Sequence, residues 1–487
     1  MGLGKSVSWN ALITFVVTVG SRFSKFLGSV VFANVAGGAS LGVFYLFTSL
    51  FRVLRKLIGL GLGQAIVTQT AEAVSSDDTD HVGEIVSSAL LVRLTSLCFV
   101  SVVLYAARHR LGRYVGLNRI WIYLVVALSL TMLLSTARSV LVGVKRVDVA
   151  STLDFLKEIS MIVIQIALVL LGFDAFGLVA GFLAGMAVPT ALAIVRTARF
   201  LEDLHPARDR IEAQLSFARF SFLDSLVGGE QIWIDTLMLG AVVTITQSDI
   251  GVYGITYSIA MFGLTLSSSI SRAILPEIRD LDVADQYQNR DRLVQKSIKY
   301  STLIALPLFF GALAIGDNVL AFIYGFDRGF EPLLFLTAGT MVFSIYQPVH
   351  QTFYALDRPR TAFLVSAVTS LSNFSLNILL IPPFGIAGAG LSTAASMCLS
   401  AATGLLLLRR LGVVSPLPFR AWRIQFGAAV LMALIVRFGD VQVGTDSLLS
   451  TSMLVTAGVA IYASVVLVGD SEIRKQLFNR LGSLTAP

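Results

Sequence analysis

Apolar residues run through this chain in stretches of about 20, broken at charge clusters, glycines and prolines, and stretches of that length span a bilayer as helices. About fourteen can be marked, near 7–31, 41–69, 85–107, 119–142, 152–172, 176–195, 216–242, 250–275, 297–316, 332–355, 361–381, 386–408, 421–438 and 448–469. The pattern predicts an all-α, polytopic integral membrane protein. Gly37-Gly38, Gly316 and Pro382-Pro383 fall between stretches and read as turns. The connections 196–214 and 272–299 are mixed in charge and able to form amphipathic helices at the inner surface, read as interfacial linkers.

Composition agrees with this class. The chain has 487 residues, 55% hydrophobic and 14% charged, and its mean hydropathy is +0.79, outside the range of ordinary soluble domains. Its two cysteines, Cys98 and Cys398, both lie in apolar stretches, so neither a disulfide framework nor a cysteine metal site is expected. No P-loop is present, no loop is long enough for a soluble catalytic domain, and neither a cofactor nor a nucleic-acid partner is implied. The first stretch carries Arg22 and Lys25 and reads as a permanent helix, not a cleaved leader.

Charge fixes the expected orientation. With both termini cytoplasmic, about 22 of the 37 Lys and Arg fall inside, about 6 outside and about 9 within the spans. The expectation is a multi-pass protein of the plasma membrane. The acidic loop from Glu72 to Glu84 does not change it, because carboxylates weigh little in topology.

The basic residues inside the spans carry the functional information. Arg22, Lys25, Arg52, Arg55 and Lys56 interrupt the first two stretches, and each would cost about 2.5–3.5 kcal/mol at the bilayer centre if it faced lipid. They are therefore expected to line a watered central cavity. Helical spacing puts Thr18, Arg22, Lys25 and Ser29 on one face and Arg52, Lys56, Gly59 and Gly63 on another. A cationic cavity suits an anionic cargo. A phosphate or diphosphate matches the planar fork of Arg, with lysines adding point charge, and Arg93 and Arg138 in the next spans extend the field. In the seventh stretch Asp224, Gly228, Gln231 and Asp235 recur at helical spacing, with Glu230 beside them. Carboxylates there point to Na+ or H+ coupling, or to a gate that pairs them with the cationic helices. Asp154, Lys157 and Glu158 read as salt-bridging residues near a span end.

The chain also repeats itself. Gly42-Val43-Phe44 opens the second span and Gly251-Val252-Tyr253 the eighth; Phe176-Gly177-Leu178-Val179-Ala180-Gly181 recurs as Phe384-Gly385-Ile386-Ala387-Gly388-Ala389. Gly143-Val144-Lys145-Arg146 has its counterpart in Ala355-Leu356-Asp357-Arg358. Duplication divides the chain into a bundle over 1–210, a repeat of it over 211–415, and two added helices with a short tail over 416–487.

Leu41-Gly42-Val43-Phe44, Gly59-Leu60-Gly61-Leu62-Gly63, Ile234-Asp235-Thr236-Leu237-Met238-Leu239-Gly240 and Gly251-Val252-Tyr253, in that order, resemble the multidrug/oligosaccharidyl-lipid/polysaccharide export superfamily. Within it they resemble the polysaccharide-biosynthesis flippases related to O-antigen translocases. The resemblance implies two helical bundles that rock between inward-open and outward-open states. The implied cargo is an undecaprenyl- or dolichyl-(di)phosphate-linked oligosaccharide, moved from the cytoplasmic to the outer leaflet for cell-surface polysaccharide or protein N-glycosylation. Membrane lipids and the pathway's glycosyltransferases, polymerase or oligosaccharyltransferase are the implied partners. Such a chain is a transporter, not an enzyme. Two alternatives remain: an ion-coupled drug exporter of the same superfamily, whose cavity is acid-rich, and a polytopic glycan ligase or polymerase, which needs a larger polar loop.

Overall fold

A computed structural model describes residues 24, 26–76, 81–200, 205–216, 232–413, 417–443 and 447–475. Among these there is no strand: turns and short connections join helices throughout. The chain folds as two compact units, Met1–Gly251 and Val252–Pro487.

In the first unit α1 covers Phe26–Gly59 and α2 Leu62–Ser75. They are followed by α3 (His81–Ala106), α4 (Arg108–Val115), α5 (Ile120–Gly143), α6 (Val147–Leu170) and α7 (Asp174–Thr197). A short helix, α8, occupies 208–216, α9 is Ile232–Ala241, and α10 (Gln247–Phe262) begins here. The second unit takes the rest of α10, then α11 (Leu264–Val283), α12 (Tyr287–Asn318), α13 (Phe330–Ala355), α14 (Pro359–Arg410), α15 (Phe419–Val443) and α16 (Leu448–Gly469). Nine helices among the described residues are long and apolar enough to cross a membrane. The expected stretches fall on them closely: 119–142 on α5, 176–195 on α7, 332–355 on α13, 448–469 on α16.

Two breaks differ from the expected ones, and one agrees. The stretch 41–69 is not one straight span: α1 ends at Gly59, Leu60 and Gly61 take left-handed backbone (φ 46° and 71°), and α2 starts at Leu62. Gly37 is a break as expected: it takes φ 78°, ψ 167°, outside the helical region, between a π turn over Phe32–Ala36 and the helix that runs to Gly59. Pro382-Pro383 lie inside α14, whose 52 residues would reach about 78 Å at about 1.5 Å each, far beyond a bilayer core of about 30 Å. The actual division is at Gly385 (φ 58°, ψ −133°), which turns α14 into two spans. The connection 272–299, expected to be able to form amphipathic helices, is mostly helix: the end of α11 and the start of α12.

Glycines set the helix spacing in the first unit. A Cβ on Gly181 would stand 2.7 Å from Gln165 Cα and one on Gly185 2.4 Å from Met161 Cα, so α6 and α7 touch backbone to backbone. Hydrogen bonds cross the same seam: Ser160 Oγ donates to the Gly185 carbonyl (2.6 Å) and Gln165 Nε2 to that of Leu178 (2.8 Å). This seam is where the Phe176–Gly181 repeat motif sits. On the other side of α7, Phe182 meets Phe47 and Phe51 of α1 edge to face, at 5.6 and 5.3 Å between centroids.

In the second unit the seam between the arms of α14 is polar. Asn373 donates to Thr393 Oγ1 (3.1 Å), Asn377 to Asn373 Oδ1 (3.2 Å), and all three are fully buried. The last two helices are fastened to α12 by charge. Lys299 Nζ lies 2.7 Å from Asp470 and 2.9 Å from Glu472, while Gln425 bridges Thr302 Oγ1 (2.7 Å) and the Lys299 carbonyl (3.0 Å). Arg290, only 4% exposed, joins Asp282 (2.6 Å) and Asp291 (2.9 Å).

Candidate functional site

The last two turns of α1 read Phe51-Arg-Val-Leu-Arg-Lys-Leu-Ile-Gly59, an uninterrupted run of residues that favour or tolerate helix. Helical geometry therefore stacks Arg52 under Lys56, one turn apart. The aromatic that receives them comes from α9. The Arg52 guanidinium lies 5.5 Å from the centre of the Trp233 ring and the Lys56 ammonium 4.6 Å, both within cation–π range. Trp233 is buried, and its indole N–H has no acceptor among the described residues. Arg52 remains exposed and Lys56 half-exposed. Asp235, on the same short helix as the tryptophan, is fully buried.

Arg55 does not join this pair. Three residues beyond Arg52, it lines a small cavity of about 20 Å³ with Gly59 and with Arg93 of α3. The expected stripe Arg52–Lys56–Gly59–Gly63 is thus divided: the bend at Leu60-Gly61 puts Gly63 on α2, where a Cβ would meet Ser139 Oγ at 3.4 Å. Arg93 is 2% exposed and donates to Thr136 Oγ1 and, at 3.3 Å, to Ser135 Oγ. Arg138 pairs with Asp154 at 2.8 Å, and Lys157 stands 3.6 Å from Glu158, the salt-bridging role expected of that acidic cluster. Arg22, Lys25, Asp224 and Glu230 lie outside the described residues.

The site's second wall is tied by Tyr114 of α4. Its hydroxyl donates to the Leu237 carbonyl of α9 (2.5 Å), and burial pushes the phenol up to about 12, so it keeps its proton at neutral pH. Gln247 Nε2 donates in turn to the Tyr114 carbonyl at 3.3 Å. Trp233 and Tyr114 were not foreseeable as partners of α1. The sequence places a tryptophan two residues before Asp235, but no periodicity says which helix its ring will meet.

A family model described as "Lipid II flippase MurJ" matches residues 117–464, well over half of the chain. The chain belongs to the MurJ family. Agreement extends over nearly the whole length. A protein of Haloferax volcanii described as "Probable low-salt glycan biosynthesis flippase Agl15" is 25% identical over 473 residues, covering 96% of this chain and 97% of that one. Among solved structures, one titled "Lipid II flippase MurJ, inward closed conformation" superposes with a TM-score of 0.75 at 16% identity, over 94% of this chain and 98% of that one. An inward-facing multidrug resistance MATE transporter of the MOP superfamily superposes with a TM-score of 0.65 at 14% identity, over 80% of this chain and 94% of that one. At such identities the two structures speak for the fold. The MurJ-family chain is accordingly a multi-pass membrane flippase of the export superfamily expected from its motifs.

Proposed function

We infer that this MurJ-family flippase carries a polyprenyl-phosphate- or diphosphate-linked oligosaccharide from the cytoplasmic to the outer leaflet of the plasma membrane, with both termini cytoplasmic. The observation that carries the reading is the pair Arg52 and Lys56, presented side by side on Trp233 within a transmembrane segment. A cation over an indole face is held in place by the ring, which fixes where its charge sits. A phosphate reaching Arg52 can accept two parallel N–H bonds from its guanidinium. Arg22, Lys25 and Arg55 complete the proposed phosphate-binding set.

A glycan cargo accords with the relative described as a glycan biosynthesis flippase, which matches end to end. Two negative charges leaving an inside-negative cell gain roughly 4–5 kcal/mol per 100 mV if they cross uncompensated. A protein that brings its own cations across loses that gain. Coupling to Na+ or H+ would restore it, with Asp235, buried on the helix that carries Trp233, and Asp224 and Glu230 as the carboxylates.

The experiment is transfer of a labelled polyprenyl-diphosphate oligosaccharide in proteoliposomes, with wild type and Arg52→Ala compared for label accessible from the opposite leaflet. Transfer by wild type that collapses in the variant supports the reading. Efflux of organic cations without glycan transfer overturns it.

A further inference from the structure

Arg93 is a buried charge that the glycan reading does not use. Its guanidinium is 2% exposed and, among the described residues, donates only to two hydroxyls and has a Nε–H with no acceptor. Neither hydroxyl brings negative charge: Thr136 and Ser135 spend their own protons on the Met132 carbonyl, at 2.8 and 3.2 Å. A guanidinium does not escape by losing its proton, and an uncompensated buried cation is among the costliest features a protein can hold. Ion pairs satisfy the other deeply buried cations among the described residues, Arg290 and Lys299. Arg93 has a cavity in place of a carboxylate.

That cavity lies between α1, α3 and α5. Arg93 and Arg55 line it, with Ser135 and Thr131 beside them and Ile58 and Leu128 adding apolar surface to its wall. The Thr131 hydroxyl makes only a 4.0 Å contact with Met186 Sδ and can turn inward as a donor. The chemistry offered is therefore the Arg93 guanidinium and a hydroxyl donor, with no carboxylate among the described residues of the wall. Size then selects the occupant. A space of about 20 Å³ exceeds the roughly 10–15 Å³ that one water needs and suits one small occupant better than a five-atom phosphate. A halide takes up little more room than a water molecule.

We propose that the cavity between α1, α3 and α5 binds one monoatomic anion, chloride in the cell, on the Arg93 guanidinium. The ion neutralises the buried charge and binds α3 and α5 to the turn of α1 that holds Arg52 and Lys56. It is a separate site from the one over Trp233, and its detection needs no glycan.

The test is thermal unfolding of the purified full-length chain in detergent at constant ionic strength, with gluconate replaced stepwise by chloride, bromide or phosphate. A ligand held only by the folded state raises the midpoint with concentration. The midpoint is expected to climb and saturate with chloride and bromide, and to stay flat with phosphate. In Arg93→Gln the halide response disappears, while Arg138→Gln, whose guanidinium pairs with Asp154, keeps it. Should Arg93→Gln fail to fold, Thr131→Val serves: losing one donor to an ion weakens half-saturation by about tenfold. A halide-independent midpoint in wild type means that a water fills the cavity and overturns the proposal. So does a halide response that survives unchanged in the folded Arg93→Gln, or in Thr131→Val where only that variant folds, and so does phosphate stabilising as well as chloride. Glycan transfer enters none of these outcomes, so they stand apart from the flippase reading.

Discussion

Gly42 rests directly on the carbonyl of Gln247: a Cβ built on the glycine would stand 1.8 Å from that oxygen. Four residues away on each helix the contact is returned, since a Cβ on Gly251 would lie 2.0 Å from the oxygen of Gly38. The two glycines are the first residues of the repeated Gly-Val-aromatic motif. Each sits where the backbone of another helix leaves no room for a side chain, the arrangement by which small residues let membrane helices cross closely.

Gly42→Ala is accordingly expected to lower stability by about 1–3 kcal/mol, the usual cost of overpacking, and Gly251→Ala by a similar amount. Because one helix displacement would relieve both clashes, the double variant is expected to fall short of the sum. Thermal unfolding of the three variants in detergent checks this. Full additivity would mean that the two contacts are independent.

Flipping is expected to separate charge from geometry at Arg52. Arg52→Lys keeps the cation but loses the planar fork, and Arg52→Ala loses both. Removing a hydrogen bond to a charged group costs about 1.5–3 kcal/mol, so Arg52→Ala is expected to slow transfer by roughly 10- to 100-fold, with Arg52→Lys between it and wild type. Trp233→Leu is expected to slow transfer while Arg52 and Lys56 remain, because their common platform is gone. Initial rates in proteoliposomes, normalised to folded protein, decide it.

Tyr114→Phe removes the hydroxyl that caps the Leu237 carbonyl. A stability loss of about 1 kcal/mol is expected, with no change below about pH 10, since the phenol stays protonated there. A variant as stable as wild type would show that the bond contributes nothing net.

Lys299→Met leaves the buried Asp470 carboxylate facing an apolar side chain, while Glu472 keeps Lys296, and breaking a buried pair such as Lys299–Asp470 costs about 3–5 kcal/mol. Acid acts on the same junction. Hydrogen bonding to Lys299 holds the Glu472 carboxyl below its ordinary value, so its contribution to stability is complete above about pH 4.3 and is lost as pH falls through the lower folded value. Wild type is expected to lose stability over that acid range more steeply than Glu472→Gln. Parallel pH profiles for the two would refute it.

Helices and class were legible in the sequence because a bilayer demands long apolar runs, and the expected stretches fall on α3, α5, α7, α13 and α16 within a few residues. Breaks were less legible. Gly37 breaks the helix where the sequence signals it, but Pro382-Pro383 do not, since the bend falls two residues further on at Gly385. The helical spacing of Arg52 and Lys56 was readable and holds, since both reach one ring. The departure of Arg55 to a cavity with Arg93 was not, because one helix's periodicity says nothing about its neighbours.

The joint between α1 and α2 shows which forces hold this bend in place. Leu60 adopts a left-handed backbone that glycine takes freely but that costs an L-residue about 1–2 kcal/mol. The local chain would prefer to run straight through. What keeps it bent is distant: Leu62 and Ile66 are fully enclosed, and Thr70 fills the space against Gly143 so closely that a Cβ there would come within 2.6 Å. The angle of the segment that carries Arg52 and Lys56 is thus a property of the surrounding bundle, and any rearrangement that loosened α2 from α5 would release the strain at Leu60 and let the two helices straighten.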